Sequence, residues 1–491
     1  MANNTAALFD RYGQGYKWWA AATVMFGTLS MLLSATIITV AIPSIMVDFS
    51  MSQGEVQWLV TGFLAAMTAS MLSLDWLLES LGQRATFVGG FALFIAASLL
   101  GGLAPSGDWL IAARVLQGAM AGVVQPLAMI IIFQVFPPGE RGLGMGIYGM
   151  GVLLGPAIGP VVGGVLVDTW SWRAVFLVIL PFCVAGMIMG LRFLPTREIE
   201  KPRRAFDWLG LALLVAALTS LLWAFANGPR LGWSTPLILG LLGCGSLAGF
   251  AFVRWELYHS KPMLNLQVFR SKEMVCGSLL SFAHGMVLYG TTYLIPLFMQ
   301  DIQGLSATDA GMVLIPAGLA MAAVFPLGGY LSDRLPPRIS AVAAVLCLSL
   351  SSLLLMQADR DTGFWLLACW IVLGRVGLGL LNPPVVTGSL RSLPGELLTH
   401  GSGALSFCRQ LGTAFGVNLL VVILAQRTGF HSRLLSQEQS ASETELLMQA
   451  TRQIELQAHA LSFQDSFLVL GLVLLLALVP AWLMGKETGR S

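Results

Sequence analysis

The sequence predicts an all-α integral membrane protein with fourteen transmembrane spans. Of its 491 residues, 56% are hydrophobic and only 11% are charged, against about 25% charged residues in soluble domains. Apolar stretches of about 20 residues, the length that crosses a bilayer core of about 30 Å, recur from one end of the chain to the other. Lysine and arginine gather in alternate loops, as on the cytoplasmic side of membrane proteins.

The chain opens with a short polar segment, 1–17, that carries Asp10, Arg11 and Lys17. The apolar run behind it, 18–43, is too long for the core of a cleavable signal peptide. We therefore expect this run to remain in the protein as the first span.

Polar breaks divide the rest of the chain. We expect a six-helix bundle (18–195), a cytoplasmic linker (196–207), two extra spans (208–253), a second cytoplasmic linker (254–273), a second six-helix bundle (274–485) and a cytoplasmic tail (486–491). The individual spans lie near 18–43, 56–78, 85–104, 109–135, 143–167, 174–195, 208–226, 234–253, 274–299, 307–331, 339–357, 363–389, 402–425 and 464–485.

Placing both termini in the cytoplasm puts most lysines and arginines on the inner side. The longest outer segment is then 426–463, which is polar at its centre. It carries Leu434, Leu446, Leu447 and Ile454 at helical spacing. We expect an amphipathic hairpin or interfacial helix there, with a solvated loop as the alternative.

Several classes of function are disfavoured. The 27 basic and 25 acidic residues nearly balance, so no basic patch points to nucleic acid. The six cysteines are scattered without metal-ligand or redox spacing, and we expect no metal and no cofactor. The chain has no phosphate-binding loop of the G-x-x-x-x-G-K-[ST] type, which argues against an ATP-driven pump acting alone.

Two pairs of segments repeat between the first and last six spans, as in transporters that are built from repeats. Spans 4 and 12 each contain one arginine, Arg114 and Arg375, followed by small residues and proline. The loops after spans 2 and 10 share a polar pattern. They read Asp75-Trp-Leu-Leu-Glu79-Ser-Leu-Gly82-Gln-Arg84 and Gly329-Tyr-Leu-Ser-Asp333-Arg334-Leu-Pro-Pro-Arg338.

These segments resemble the major facilitator superfamily, and specifically its fourteen-span drug:proton antiporters of the EmrB/QacA type. Both loops look like the family's G-x-L-A-D-x-x-G-R motif. The run from Arg114 through Gln117 is similar to its span-4 motif, 149–164 to its span-5 antiporter motif, and 402–418 to an EmrB-type span 13. The resemblance implies a major facilitator fold in the bacterial inner membrane. Its implied partners are the lipid bilayer, protons and a hydrophobic small-molecule substrate, with a periplasmic adaptor protein as a further candidate.

In this family the acid of the loop motif latches the cytoplasmic gate. The first copy departs from the motif, because Asp75 replaces its first glycine and Glu79 its aspartate. A charge at a site of close helix packing argues against a latch in the first half, although Gly82 and Arg84 are kept. The second copy keeps Gly329, Asp333 and Arg334.

The resemblance to the antiporter motif includes glycines and prolines of span 5. Its residues are Gly151, Gly155, Pro156, Gly159, Pro160, Gly163 and Gly164. Glycines at intervals of four let helices approach closely, and prolines interrupt backbone hydrogen bonds. We expect the stripe to be a pliable seam against the other half of the molecule, with a generic packing seam as the alternative.

Arginine side chains lie within three spans. A charge there costs at least about 2.5 kcal/mol unless it finds a cavity or a partner. Arg114 and Gln117 share one face of span 4, and we expect Arg114 to face the central cavity of the first half. Arg375 and Arg409 invite the same interpretation. Clamping to backbone carbonyls is the alternative for all three.

Proteins of the EmrB type usually carry an aspartate in span 1, where this chain has Ser34, two residues before Thr36. Serine does not titrate near neutral pH, so the usual candidate proton carrier is missing. The remaining titratable candidates are Asp75, His284 and Asp309, and histidine is suited to proton exchange near neutral pH. A lone His284 that is hydrogen-bonded to a neighbouring helix is the alternative.

The sequence therefore predicts a secondary active exporter of hydrophobic small molecules that is coupled to proton influx, and not an enzyme. An importer or facilitator with the same fold is the alternative. Arginines without a central carboxylate should repel lipophilic cations, so we expect anionic or neutral substrates. The opposing interpretation is that the arginines are neutralised locally and that Asp75 or Asp309 serves cations.

Overall fold

The computed structural model describes residues 8–196, 205–438 and 444–485. These residues are helical almost throughout, and none of them forms a strand. Residues 197–204 of the predicted linker and the predicted tail, 486–491, lie outside the described residues. The longer helices are α1 Tyr16–Phe49, α2 Trp58–Ser70, α3 Leu74–Gly102, α4 Gly107–Val135, α5 Arg141–Thr169, α6 Leu180–Phe193, α7 Trp208–Leu231, α8 Pro236–Tyr258, α9 Lys272–Asp301, α10 Leu314–Arg334, α11 Pro337–Leu355, α12 Phe364–Arg391, α13 Leu398–Glu438 and α14 Thr444–Leu483.

Within the described residues, twelve helical stretches are long and apolar enough to cross a membrane, rather than the fourteen expected. One of them, Trp58–Gly102, is a 45-residue stretch that contains both spans 2 and 3 of the prediction. The helix is interrupted inside it at Gly82, whose backbone has φ 78° and ψ 171°. Glycine adopts this conformation without the steric cost that other residues bear. The twelve do not include α5.

Two clusters of buried apolar side chains form the core. The first joins α1 to α6, takes in parts of α7 and α8, and continues into the start of α9, the end of α12 and the start of α13, while the second joins α9 to α14. The residues through which the first cluster continues are Met274, Val386, Leu390, Ala404 and Leu405. Inside the first group α4 packs on α2 and α3, while α1 packs on α5 and α6. Inside the second group α9 packs on α13 and α14, while α12 packs on α10 and α11. We call α1 to α6 the first half and α9 to α14 the second half.

The halves meet mainly where α5 packs on α10 and α12, and where α4 packs on α13. The helices α7 and α8 pack on each other, and α7 also contacts α2 and α13 at the margin of both halves. Asp207 fixes the start of α7, because its carboxylate accepts hydrogen bonds from Gly210 N (2.8 Å) and from Trp255 Nε1 of α8 (3.0 Å). We call the end of the molecule where α5 begins and α10 ends the latch end.

The predicted outer segment 426–463 is helical on both sides of the undescribed residues 439–443. The helices α13 and α14 have 41 and 40 residues, about 60 Å each at 1.5 Å per residue. Asp465 ties them together by accepting from Arg427 Nε (2.5 Å) and by pairing with His431 (2.7 Å). This hairpin therefore extends well past a bilayer core of about 30 Å at the end opposite the latch end.

Candidate functional site

Arg114 on α4 is enclosed by helices of the first half, with 1% of its surface exposed. Its Nε donates to the carbonyl oxygen of Leu59 on α2 (3.0 Å), and its Nη1 donates to the carbonyl oxygen of Ser34 on α1 (3.2 Å). Nη1 also donates to Gln117 Oε1 (2.9 Å), and Cζ lies 4.2 Å from the centre of the Phe63 ring. The guanidinium is thus held by three helices at once.

Gln117 extends this network to a fourth helix. Its Nε2 donates to Ser98 Oγ on α3 (2.8 Å), while Arg114 Nη1 lies 3.3 Å from Ser34 Oγ. The expectation that Arg114 faces the central cavity is wrong, because the side chain is enclosed and oxygens of its own half accept from Nε and Nη1. Its Nη2 is buried without a hydrogen-bond partner among the described residues. Arg114 is a clamp within the first half.

Arg375 on α12 is also buried, with 7% of its surface exposed. Its Nη1 donates to the carbonyl oxygen of Leu288 (3.3 Å) and its Nη2 to Thr292 Oγ1 (2.9 Å), both on α9. It lines a small cavity of the second half together with Thr291 and Ser351. The second arginine therefore joins only two helices by hydrogen bonds.

Arg409 on α13 differs from both. It is half-buried, and its side chain has no hydrogen-bond or ion-pair partner in the part of the chain that the structure describes. The guanidinium is within electrostatic range of His284 and Tyr289 on α9 and of Tyr148 on α5. Its charge therefore faces the contact between the two halves.

His284 is the second group of this region. It is 3% exposed, and its Nδ1 is buried without a hydrogen-bond partner among the described residues. The expected alternative, a histidine hydrogen-bonded to a neighbouring helix, is therefore wrong in this conformation. The imidazole also lies within electrostatic range of Arg375, so the charges of two arginines act on it.

A latch joins the halves through Asp333 at the end of α10. Its carboxylate accepts hydrogen bonds from the backbone nitrogens of Gly142 (2.8 Å) and Leu143 (2.9 Å), at the start of α5. Arg391 Nη2 on α12 donates to the same carboxylate (3.0 Å) and to the carbonyl oxygen of Pro138 (2.8 Å). An acid at a helix N-terminus satisfies unpaired N–H groups and interacts favourably with the helix dipole.

Glycines permit this contact. A Cβ atom at Gly329 would lie 2.2 Å from the carbonyl oxygen of Gly142, so any side chain there would force the two backbones apart. The third residue of the motif, Arg334, lies over the ring of Tyr330, with Cζ 4.1 Å from its centre. Gly329 and Asp333 thus act together, and Arg334 packs beside them.

The first copy of the motif makes a different contact. Asp75 on α3 lies 3.3 Å from His400 Nε2 at the start of α13, so an acid of the first half meets a histidine of the second. Glu79 also has a polar or electrostatic partner. Arg84 Nε donates to the carbonyl oxygen of Leu194 (2.6 Å) in its own half, and Gly82 interrupts the helix.

The glycine stripe of α5 lies against its own half, and the expectation that it meets the other half is wrong. Added Cβ atoms at Gly151, Gly155, Gly159 and Gly163 would each clash with α1, at distances of 2.2 to 2.9 Å. Gly164 is at the edge of this contact, 4.0 Å from Val40. The side chains of Pro156 and Pro160 lie outside the described part. The stripe therefore fixes α5 to α1.

The two remaining candidates have local roles. Thr36 Oγ1 lies 3.3 Å from the carbonyl oxygen of Leu32 and 3.4 Å from that of Gly155, and so adds to the contact between α1 and α5. Asp309 and Ser306 form a reciprocal cap at a short helix, with Ser306 Oγ donating to Asp309 Oδ2 (2.7 Å) and accepting from its N–H (3.1 Å).

Comparison with known proteins identifies the family of this chain. The family model of the Major Facilitator Superfamily matches residues 24–417. The chain belongs to this superfamily.

Two curated members resemble it over most of their length. The tetracenomycin C resistance and export protein of Streptomyces glaucescens is 30% identical over 85% of this chain and 77% of its own. The multidrug export protein EmrB of Escherichia coli is 28% identical over 84% of this chain and 80% of its own. The crystal structure of the human organic anion transporter MFSD10 superposes with a TM-score of 0.60 at 16% identity, covering 93% of this chain and 99% of that one, a likeness that shows the fold alone.

Membership of the Major Facilitator Superfamily makes this chain a multi-pass membrane transporter rather than an enzyme, with relatives that are named for drug export. Sequence reasoning missed several of its notable residues. Arg391, His400 and Tyr148 are single polar residues near or within apolar spans. The role of Gly142 could have been predicted from glycine spacing. Gly142, Gly146 and Gly149 form a second glycine face, before the motif stripe in the sequence, and this face packs on α10.

Proposed function

We propose that this protein is a secondary active exporter of hydrophobic small molecules that works by alternating access and is coupled to proton influx. The latch carries the proposal. Asp333 of the second half caps α5 of the first, so the halves are joined at one end by polar contacts. Water can replace polar contacts at a helix N-terminus, so this end of the molecule can open and close as alternating access requires.

We further propose fourteen spans, with bundles at 18–195 and 274–485 and with α7 and α8 as the extra pair. The break at Gly82 supports two spans within Trp58–Gly102, because 45 residues of helix greatly exceed the length of one span. The 29-residue helix α5 supports another. Both termini are proposed to be in the cytoplasm, as the distribution of lysine and arginine favours.

Export is favoured over import by the relatives, since two of them are named for export. Import has support of its own, because Ser34 stands where EmrB-type exporters usually carry an acid. In this chain Ser34 belongs to the Arg114 network. His284, buried and without a partner for Nδ1, stays a proton-carrier candidate together with Asp75 and Asp309.

The test uses inside-out membrane vesicles that contain the full chain, with a permanently neutral hydrophobic fluorophore as the transported compound. Export coupled to protons predicts accumulation when the lumen is acidic and its loss when nigericin collapses the gradient. Vesicles without the protein correct for partitioning into the lipid. Accumulation only with an alkaline lumen would establish symport instead, and gradient-independent equilibration would establish a facilitator.

A further inference from the structure

The packing of α13 on α4 places Arg409 and Gln125 at a similar level on either side of the contact between the halves. Ser406 Oγ donates to Met129 Sδ (3.2 Å), so α13 lies on α4 at that level. Arg409 follows Ser406 by one turn, and Gln125 precedes Met129 by one turn on a helix that runs in the opposite direction. The two side chains therefore originate at one level of the molecule.

Polar groups without protein partners gather at this level. Gln125 is 4% exposed, and its Oε1 is buried without a hydrogen-bond partner among the described residues, as is Nδ1 of His284. Tyr148 is bonded through its hydroxyl to the carbonyl oxygen of Gln125 (3.1 Å). Buried polar atoms without partners are rare in native proteins because their desolvation is costly. Two of them beside an unpaired arginine indicate a place for a polar ligand.

Four carboxylates that were described above are engaged elsewhere. Asp75 meets His400, Asp309 caps a helix, Asp333 forms the latch and Asp465 ties α13 to α14. The Arg409 guanidinium thus offers several N–H donors in a fork that matches a carboxylate.

We infer that Arg409, with His284, Tyr148, Tyr289 and Gln125, forms a binding site between the halves for the anionic group of a hydrophobic substrate, a carboxylate or an equivalent oxyanion. We call these five residues the Arg409 site. The inference rests on the proposed function and gives it a substrate class, hydrophobic organic acids. It also supplies a location for the charge preference that the sequence predicts.

The test compares two probes of nearly equal size, 1-pyrenebutyrate and 1-pyrenebutyramide, which differ in charge. Binding to the full chain in nanodiscs of neutral lipid is followed by energy transfer from tryptophan to pyrene. We expect the carboxylate to bind about tenfold more tightly than the amide, since a charge-assisted bidentate contact contributes roughly that factor. Arg409→Gln should reduce this ratio to about one, and Arg409→Lys should retain part of it.

The matched control is Arg427→Gln. Arg427 lies on the same helix but pairs with Asp465 outside the Arg409 site, so this variant should keep the tenfold ratio. Thermal unfolding of each variant in nanodiscs confirms that the comparison is made on folded protein. His284→Gln should weaken carboxylate binding less than Arg409→Gln does, because it removes no charge.

An unchanged ratio in Arg409→Gln, or equal binding of both probes to the original chain, would overturn the inference. Loss of pyrenebutyrate binding in discs of anionic lipid would assign the site to a lipid headgroup and overturn the substrate class. Export and the Arg409 site can be refuted independently of each other. A chain that binds pyrenebutyrate through Arg409 but transports neither probe under a pH gradient would refute export and retain the site.

Discussion

The two halves place corresponding charges in different surroundings. In the first half, the span-4 arginine Arg114 is held by acceptors on three helices, while the span-12 arginine Arg375 of the second half is held by two groups of one helix. At the latch end the order is reversed. Asp333 of the second half caps a helix of its partner half, whereas Asp75 of the first half meets the side chain of His400. The first half is therefore braced internally, and the stronger hold between the halves comes from the second.

The largest effect should come from Arg114→Ala. It removes the guanidinium that the carbonyl oxygens of Ser34 and Leu59 and the amide oxygen of Gln117 all contact, at a cost of about 3 kcal/mol or more. Arg375→Ala, which removes two weaker contacts, should cost about 1–2 kcal/mol. Thermal and denaturant unfolding in detergent measures both.

Transport rates also test the difference between Arg114 and Arg375. Arg114→Ala should abolish transport even where the protein reaches the membrane, and Arg114→Lys should rescue it poorly, because one ammonium cannot reach acceptors on three helices. Equal unfolding costs for Arg114→Ala and Arg375→Ala would contradict the internal brace.

The next effect concerns the latch. Asp333→Asn removes the charge that the start of α5 and Arg391 both contact, and we expect transport to fall by about tenfold as the latched state loses charge-assisted hydrogen bonds. Asp168→Asn is the control, since it neutralises an exposed acid near the far end of α5. Vesicle uptake rates measure the difference. A normal rate in Asp333→Asn would show that the latch is dispensable.

A smaller effect is expected for Gly329→Ala, which adds a methyl group where a Cβ would lie 2.2 Å from the carbonyl oxygen of Gly142. The backbones must separate, so transport should fall several-fold. Gly318→Ala, on the same helix with nothing within 4 Å of its added Cβ, should leave the rate unchanged or raise stability slightly. Equal behaviour of the two variants would exclude close packing as the basis of the latch.

The smallest effect is expected at the first copy of the loop motif. Asp75→Asn and His400→Gln should each slow transport by about twofold, in keeping with a partly exposed pair worth less than about 1 kcal/mol. The double variant should lose less than the sum of the two single losses, because both substitutions remove the same Asp75–His400 contact, although His400 also accepts a hydrogen bond from Asn265 N. Fully additive losses in uptake rate would show that the two residues act separately.

The sequence predicted most of the fold and less of the candidate site. Helices follow from apolar runs, and Asp333 and Gly329 from a motif. The sequence did not predict that Asp333 caps α5, because a helix N-terminus offers backbone N–H groups, which every residue except proline carries. The glycine stripe of α5 was assigned to the wrong neighbour, since spacing shows that a face permits close approach but not which helix fills it. Arg409 and Arg114 look alike in sequence and differ only through the acceptors that neighbouring helices bring.

The length of α13 and α14 has a mechanical consequence. Because both helices continue without a break from the second half into the hairpin, the hairpin moves as an arm of that half, with the membrane-embedded part as its base. Asp465, bound to Arg427 and His431, stiffens the arm where it leaves the bundle. A small rocking of the second half would therefore be magnified at the tip. The position of a spin label at the exposed Leu434 would therefore report which way the transporter is open.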